Sequence, residues 1–551
     1  MKQESTAPKS DSAPAGVSKP AVPLHEAHAP VQDLREWRLI RERNRLQFWR
    51  AALVGLLAGG LAVGFQVALA YSESRRAALL GFLHERLPWV GWLVLPLITA
   101  GLGAGAAWVT QRFAPEAAGS GIPHIKGVLM HARVLQWLRL LPVKFFGGVV
   151  AIGAGFSLGR EGPTVQLGAV AGRVIGGILG VPRQARLPLI ACGAGAGLAA
   201  AFNAPLAGFI FVIEELQREL SPLTYGMALI AAVVANIVTC TIFGQQTAFH
   251  VYGYPTPPLT ALPLFVVVGV VTGVLGVAFS KGLIFAQQQC AQRLKLPGWQ
   301  RAALIGLAIG VVGWWLPEAL GTGHRVAESV LLGKYASFQM LDFLAILFVG
   351  KFVLTLVSYM AGVPGGIFAP MLVLGSVLGL MVGLISSYWF PAAVGTPAAF
   401  AVAGMAGFFS AVVRAPLTGI VLVLEMTGNY EQLLPLLVSC MLAYVIAEHM
   451  NSKPVYDALL GVDLHQKARQ PVHREPMLVE IVVERDSPMD GCQVCDLGLP
   501  EGCLLVTITR HGGDIIPHGD TVTRAGDHVT VVVAGDVAVT RGRLNALSRV
   551  Y

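Results

Sequence analysis

The stretch GREGPTVQLG at 159–168 sets Arg160 beside Glu161 between glycines, just ahead of Pro163, in a region otherwise nearly free of charge. Glycine supplies unusual backbone angles and proline suits a first helical turn, so this spacing predicts a helix that starts close to the acid. The first N–H groups of a helix have no intrahelical acceptor, and in a dry interior they must find one. A carboxylate or a free anion can fill that need. The chemistry this suggests is competition: Glu161 holds the helix start when charged and leaves it when protonated, which ties anion movement to proton movement. The same residues also read as a structural ion pair between Glu161 and Arg160. Burial raises a carboxyl pKa and a helix start lowers it, and the sequence does not decide which dominates.

One helix end cannot hold a dehydrated anion alone. Burying a bare charge costs tens of kcal/mol, whereas a helix end contributes about 0.3–2 kcal/mol. Several converging donors are required. GGIFAP at 365–370 has the same glycine-and-proline grammar, and AGSGIP at 118–123 adds Ser120, whose hydroxyl can donate. VIEEL at 212–216 places Glu214 and Glu215 in an apolar run. Ser120 and His124 stand four residues apart, a spacing at which a hydroxyl nucleophile and a base can pair, so an intramembrane hydrolase is a remote alternative. A GxSG motif would, however, need glycine where Ala118 stands. The CQVC at 492–495 is a single CxxC, with Cys503, His511 and His518 downstream. Without a second pair it gives little support for a metal or redox role.

The elements that must position these residues are membrane helices. Of the 551 residues 54% are hydrophobic and 13% charged, against about 25% charged in soluble domains. The runs at 52–71, 262–280 and 342–360 reach or approach the roughly 20 residues that cross hydrocarbon. LIACGAGAGLAAAF at 189–202 is too short to cross alone and predicts a broken or re-entrant helix. Sixty-four glycines fit close helix packing. The net charge of +8 does not point to nucleic acid. Arg35, Arg38, Arg41, Arg43, Arg45 and Arg50 directly precede the first span and place the N-terminus in the cytoplasm. Residues 1–30 read as a disordered leader rather than a signal peptide. The cysteines are scattered, and no disulfide framework is indicated.

The membrane part repeats itself. FNAPLAGFIFVIEE at 202–215 aligns with VRAPLTGIVLVLEM at 413–426, matching Glu214 to Glu425. GREGPTVQLG aligns with GIFAPMLVLG at 366–375, which puts Glu161 opposite Phe368. Two halves follow, about 50–245 and 260–456, and transporters built this way place the substrate where discontinuous helices meet. Beyond a polar linker at 461–474, the β-branched runs at 477–484, 503–510 and 528–535 predict a small α+β domain over 475–551.

GSGIP (119–123), GREGP (159–163) and GGIFAP (365–370), with NAPLAG and RAPLTG in the same order, resemble the CLC chloride channels and chloride/proton exchangers. The resemblance spans about 50–460. It implies an all-α polytopic membrane protein with an inverted internal repeat and many tilted and re-entrant helices, a homodimer with one anion pathway per subunit, and no enzyme activity. By the same resemblance Ser120, Gly121, Ile122, Gly162, Ile367, Phe368 and Tyr456 surround chloride. Glu161 is the external gate and proton carrier, and Glu215 the inward proton acid of an exchanger. Glu215 favours antiport over the alternative, a passive chloride channel of this fold, and Ser120 favours chloride over nitrate. Tyr456 also reads as an interfacial aromatic. Glu214, repeat partner of Glu425, reads as a structural helix-end carboxylate. His124 and Lys126 depart from the family, many of whose members carry acids near the inward proton path; His124 either titrates near neutrality or faces a helix interface.

The segment LPEGCLLVTITRHGGDIIPHGDTVTRAGDHVTVVV resembles the C-terminal subdomain of regulators of potassium conductance, the TrkA-C type. This implies either a regulatory module for an unknown small ligand or a dimer-stabilising appendage. No potassium filter sequence is present. The expectation is therefore a multi-pass protein, both termini cytoplasmic, in a bacterial inner membrane. It moves chloride and protons in contact with the lipid bilayer, with no cofactor, metal or nucleic acid.

Overall fold

The computed structural model describes residues 29–217, 222–249, 254–255, 257–293, 296–467, 477–510, 513–534 and 537–548. The leader expected over 1–30 lies outside them except for the start of the first helix, as does the second half of the expected linker, 468–474. The chain divides into two units, Met1–Gln47 and Phe48–Tyr551.

The helices fall into two successive sets that repeat the same order of long and short elements. The first set is α1 (Ala29–Arg86), α2 (Pro88–Phe113), α3 (Ile122–Leu129), α4 (Trp137–Ala154), α5 (Glu161–Ile178), α6 (Leu187–Phe202), α7 (Pro205–Phe211) and α8 (Pro222–Phe243). The second is α9 (Leu262–Arg293), α10 (Gly298–Trp315), α11 (His324–Leu331), α12 (Leu341–Met360), α13 (Phe368–Trp389), α14 (Pro397–Val413), α15 (Pro416–Thr427) and α16 (Leu433–His449). Among the described residues, 8 helices are long and apolar enough to cross a membrane. Others, such as α3, α7 and α11, are too short to cross, so their ends sit inside protein.

Glycine makes the densest contacts. α5 packs on α6 backbone to backbone at Gly168 and Gly193, and α13 packs on α14 in the same way at Gly375 and Gly404. A Cβ at any of these positions would collide with the opposing carbonyl. The halves also cap each other. Glu214, on a single π-helical turn over Val212–Gln217, accepts the N–H of Leu417 at 3.1 Å and of Thr418 at 2.7 Å, at the start of α15. Glu425 accepts the N–H of Leu206 at 3.1 Å and of Ala207 at 2.8 Å, at the start of α7. Each carboxylate satisfies orphan donors of the opposite half, the structural role its repeat position suggested.

α17 (Val455–Lys467) follows. It runs through 461–467, where the sequence reading expects linker, because VDLHQK continues a helix already begun at Val455 and contains no glycine or proline to end it. The C-terminal part has its own core, formed by Val479, Ile481, Ile508, Val529, Val531 and Val533 among others. Its strands β1 (Met477–Val482), β2 (Cys503–Arg510), β3 (Gly513–Ile515) and β4 (His528–Val533) make an antiparallel sheet in the order β1-β4-β2-β3, followed by α18 (Val537–Ser548). Alternation of buried and exposed positions along β4 marks a sheet covered on one face.

Candidate anion and proton site

Three loops carry the site, and each opens a helix: 118–121 before α3, 159–160 before α5 and 363–367 before α13. Backbone hydrogen bonds stitch them together. Gly119 donates to the Val363 carbonyl at 3.0 Å and accepts from Gly365 N–H at 3.1 Å. Gly159 and Gly366 exchange both bonds, at 2.5 and 2.8 Å. Three helix N-termini from distant parts of the sequence are thereby held at one place, as the need for several converging donors requires.

Gly121 caps α3 with φ +84°, a left-handed conformation that favours glycine. Ser120 beside it is fully buried. Its N–H lies 3.5 Å from the Tyr359 hydroxyl at the end of α12. Its Oγ has no protein hydrogen-bond partner, and neither does the buried hydroxyl of Tyr456. Tyr456 lies within electrostatic reach of the Ser120 hydroxyl, Tyr359, Glu161 and Glu215. These two buried hydroxyls face each other without the geometry of a normal hydrogen bond, and beside helix starts they are donors that an anion can take. Gly162, at the second position of α5, is pressed against this point: an added Cβ would stand 2.7 Å from Ser120 Oγ and 3.0 Å from Gly366 Cα.

Glu161 is the first residue of α5 and is 2% exposed. Its side chain reaches across to the neighbouring helix, where Oε2 accepts the N–H of Ala369, in the first turn of α13, at 3.2 Å. Arg160 is the looser partner, with Nε 3.8 Å from Oε1. The carboxylate therefore spans two helix starts, facing its own Glu161 N–H as well as that of Ala369. Ile367 and Phe368, also buried, form the cap and first residue of α13. Tilted ring contacts of Phe368 with Phe202 and Phe409, with centroids 5.2 and 4.6 Å apart, pack that corner. Ile122 opens α3 and is buried as well.

Glu215 is fully buried beside Glu214 on the π-helical turn, but the two acids face different partners. Glu215 Oε1 lies 2.7 Å from Lys126 Nζ, and the same amine meets Asp457 Oδ1 of α17. His124 does not pair with Ser120; its Nδ1 lies 3.1 Å from Gln166 Nε2, which also donates to the Glu116 carbonyl at 3.0 Å. The nucleophile–base pairing considered from spacing alone is not formed.

Sequence reasoning overlooked Lys144, Tyr359 and Asp457. Lys144 is fully buried in α4 and donates to the carbonyls of Ala117 at 3.0 Å and Gly119 at 2.7 Å, bracing the Ser120 loop. A signal was available: a lysine in an apolar span needs a partner. Tyr359 and Asp457 carried no such mark. Among the described residues no group of His, Cys, Asp and Glu is arranged to hold a metal ion, and this covers Cys492, Cys495, Cys503 and His518; His511 lies outside them.

Comparison with known proteins bears on both parts of the chain. A family model described as voltage gated chloride channel matches residues 102–448, and one described as TrkA-C domain matches residues 478–538. The chain is 42% identical over 430 residues to an H(+)/Cl(-) exchange transporter, ClcA, of Vibrio cholerae serotype O1, covering 76% of this chain and 90% of that protein. It is similar to the crystal structure of a slow cyanobacterial Cl-/H+ antiporter, with a TM-score of 0.72, 38% identity, and coverage of 77% of this chain and 99% of that one. A eukaryotic CLC transporter, at 22% identity and a TM-score of 0.65 over 81% of this chain and 77% of that one, shares the fold.

Proposed function

The chain belongs to the voltage gated chloride channel family and carries a TrkA-C domain, and from that premise we propose that it is a secondary-active antiporter exchanging chloride for protons across the membrane it spans. It is a transporter, not an enzyme, and an integral multi-pass protein. The observation that carries the mechanism is the reach of Glu161 from α5 to the Ala369 N–H of α13. A charged Glu161 satisfies that helix start; a protonated one has less claim on it and leaves the donors to chloride. Proton binding and anion binding at one place are then mutually dependent. Ser120, Gly121, Ile122, Gly162, Ile367, Phe368 and Tyr456 surround the anion, with the Ser120 and Tyr456 hydroxyls as side-chain donors and Ser120 favouring chloride over nitrate. Glu215 exchanges the proton with Glu161, and Tyr456 lies within electrostatic reach of both acids.

In this reading two copies of the chain form a homodimer in the bilayer with one pathway each. Both termini face the cytoplasm, in keeping with Arg45 and Arg50 at the start of the first span. The TrkA-C domain is a cytoplasmic regulatory module for a small ligand.

The test is chloride efflux from proteoliposomes with external pH recorded. The expected result is uphill proton movement driven by a chloride gradient, lost in Glu215→Gln while chloride flux continues. Chloride flux with no proton movement in the unaltered protein would make it a passive channel and overturn the proposal.

A further inference from the structure

Lys126 poses an electrostatic problem for the proton route. Glu215 and Lys126 are both buried, with side chains 1% and 4% exposed. If this pair stood alone, protonating Glu215 would strand an ammonium in the protein interior, and an uncompensated buried charge is strongly unfavourable. Glu215 would be locked in its charged form and useless as a carrier. The structure supplies a third group. α17 presents Tyr456 toward Ser120, and the next residue, Asp457, projects to a different side of the helix, where it meets the same Lys126 amine. Its side chain is 30% exposed, so it alone of the three has a substantial edge toward water.

We propose that Asp457 is the inward port for the proton and the countercharge that keeps Glu215 protonatable. This rests on the reading of Glu215 as a proton carrier. The triad of two carboxylates and one ammonium carries one net negative charge and becomes neutral on taking up a proton. At no stage does it hold an unbalanced positive charge. The transfer balances without a co-reactant. Asp457 accepts a proton from hydronium, forming an O–H bond and releasing water. Lys126 Nζ–H then breaks as its proton passes to Glu215 Oε1, and the freed nitrogen lone pair takes the proton from Asp457, which returns to carboxylate. The reverse sequence discharges Glu215. Lys126 is a participant rather than a clamp, and a lysine at this place is compatible with proton entry because Asp457 accompanies it. Among the described residues the titratable groups near the triad include Glu214, next to Glu215 in sequence, His124 of the same helix as Lys126, Tyr456, Tyr359, and the Arg133–Asp463 pair, whose Nη2 and Oδ2 are 2.6 Å apart.

The full-length protein in proteoliposomes decides the matter through separate chloride and proton fluxes. Asp457→Asn should lower chloride-driven proton flux roughly tenfold or more while leaving chloride flux within about twofold. Asp457→Glu should restore the proton flux. The residual proton flux in Asp457→Asn should also lose most of its dependence on cytoplasmic-side pH, which a merely structural contact would not alter. Unchanged proton flux in Asp457→Asn overturns the proposal. So does parallel loss of chloride flux, which would make Asp457 a support of the anion pathway. Failure of the unaltered protein to couple the ions, or full coupling in Glu215→Gln, would instead sink the antiport reading itself, so the two failures are distinguishable.

Discussion

Lys144 of α4 and Lys351 of α12 hold matching places in the two halves, and each fully buried amine ties down the loop ahead of a short helix. Lys144 donates to the carbonyls of Ala117 and Gly119, before α3; Lys351 donates to those of Ala319 and Gly321, before α11, at 3.1 and 2.7 Å. The bonds are equivalent, but only the first loop carries Ser120. Replacing Lys351 with methionine orphans the buried carbonyls of Ala319 and Gly321, and replacing Lys144 orphans that of Ala117 and leaves Gly119 only its bond from Gly365 N–H, at a cost on the order of 2 kcal/mol per orphaned carbonyl. Both variants should therefore melt at lower temperature in detergent. Only Lys144→Met should also weaken chloride binding by calorimetry, by about tenfold or 1.4 kcal/mol. Equal effects on chloride from both variants would show that the Ser120 loop does not depend on its brace.

Glu161→Gln separates the charge of this side chain from its shape. Glutamine keeps an oxygen that can accept the Ala369 N–H, so the helix start of α13 stays satisfied and the fold is retained. It cannot release or accept a proton near neutral pH. Chloride flux should persist, and a pH electrode should record no proton movement against a chloride gradient. Retention of proton-coupled flux would count against the gate assignment.

Gly162→Ala tests how closely the helix starts approach. The added methyl would meet the Ser120 carbonyl and hydroxyl as well as Gly366 Cα. Overpacking of this kind costs about 1–3 kcal/mol, and the atoms forced to move are the proposed anion donors. Chloride affinity should fall by an order of magnitude or more. Gly101→Ala, in α2 where no atom lies within 4 Å of the added Cβ, should match the unaltered protein.

Much of this arrangement was legible because its parts have local signatures. Glycine and proline mark the helix starts at Gly121, Glu161 and Phe368, and the repeat of GREGPTVQLG on GIFAPMLVLG brought Glu161 and Phe368 into register. That register does not say that Glu161 reaches from α5 to α13, since Gly159 and Gly366 are joined only by folding. Glu214 and Glu425 were matched as repeat partners, yet capping of each half by the other arises from a contact more than 200 residues long. The repeat also set Lys144 and Lys351 in corresponding spans, a signal present but unread. Asp457 carried none: an acid in the first turn of a helix is ordinary, and its approach to Lys126 depends on how α17 meets α3.

The C-terminal domain offers a pH-dependent test that does not depend on the membrane part. Asp527 is buried, accepts from Arg510 Nε at 2.8 Å and Nη2 at 2.7 Å, and also accepts the Arg524 N–H at 2.8 Å. Burial pushes its carboxyl up, but the Arg510 and Arg524 bonds and charges outweigh that and hold it below the usual aspartate range. A carboxyl with a depressed folded pKa adds stability that is complete above its unfolded pKa, about 3.9, and is lost as pH falls through the folded value. Protection of β2 and β4 by hydrogen exchange in the intact chain, corrected for the intrinsic exchange rate, should hold steady above about pH 5 and decline below about pH 4. Asp527→Ala should lower that protection at neutral pH by roughly 1–3 kcal/mol, because it removes the acceptor of the Arg510 and Arg524 N–H bonds and leaves Arg510 only its bond to the Val522 carbonyl. Arg510→Met combined with Asp527→Leu should recover much of the loss and flatten the acid limb, since no titrating group remains at that point. A double variant as unstable as the single would mean that the pair acts through geometry that no apolar side chain can replace.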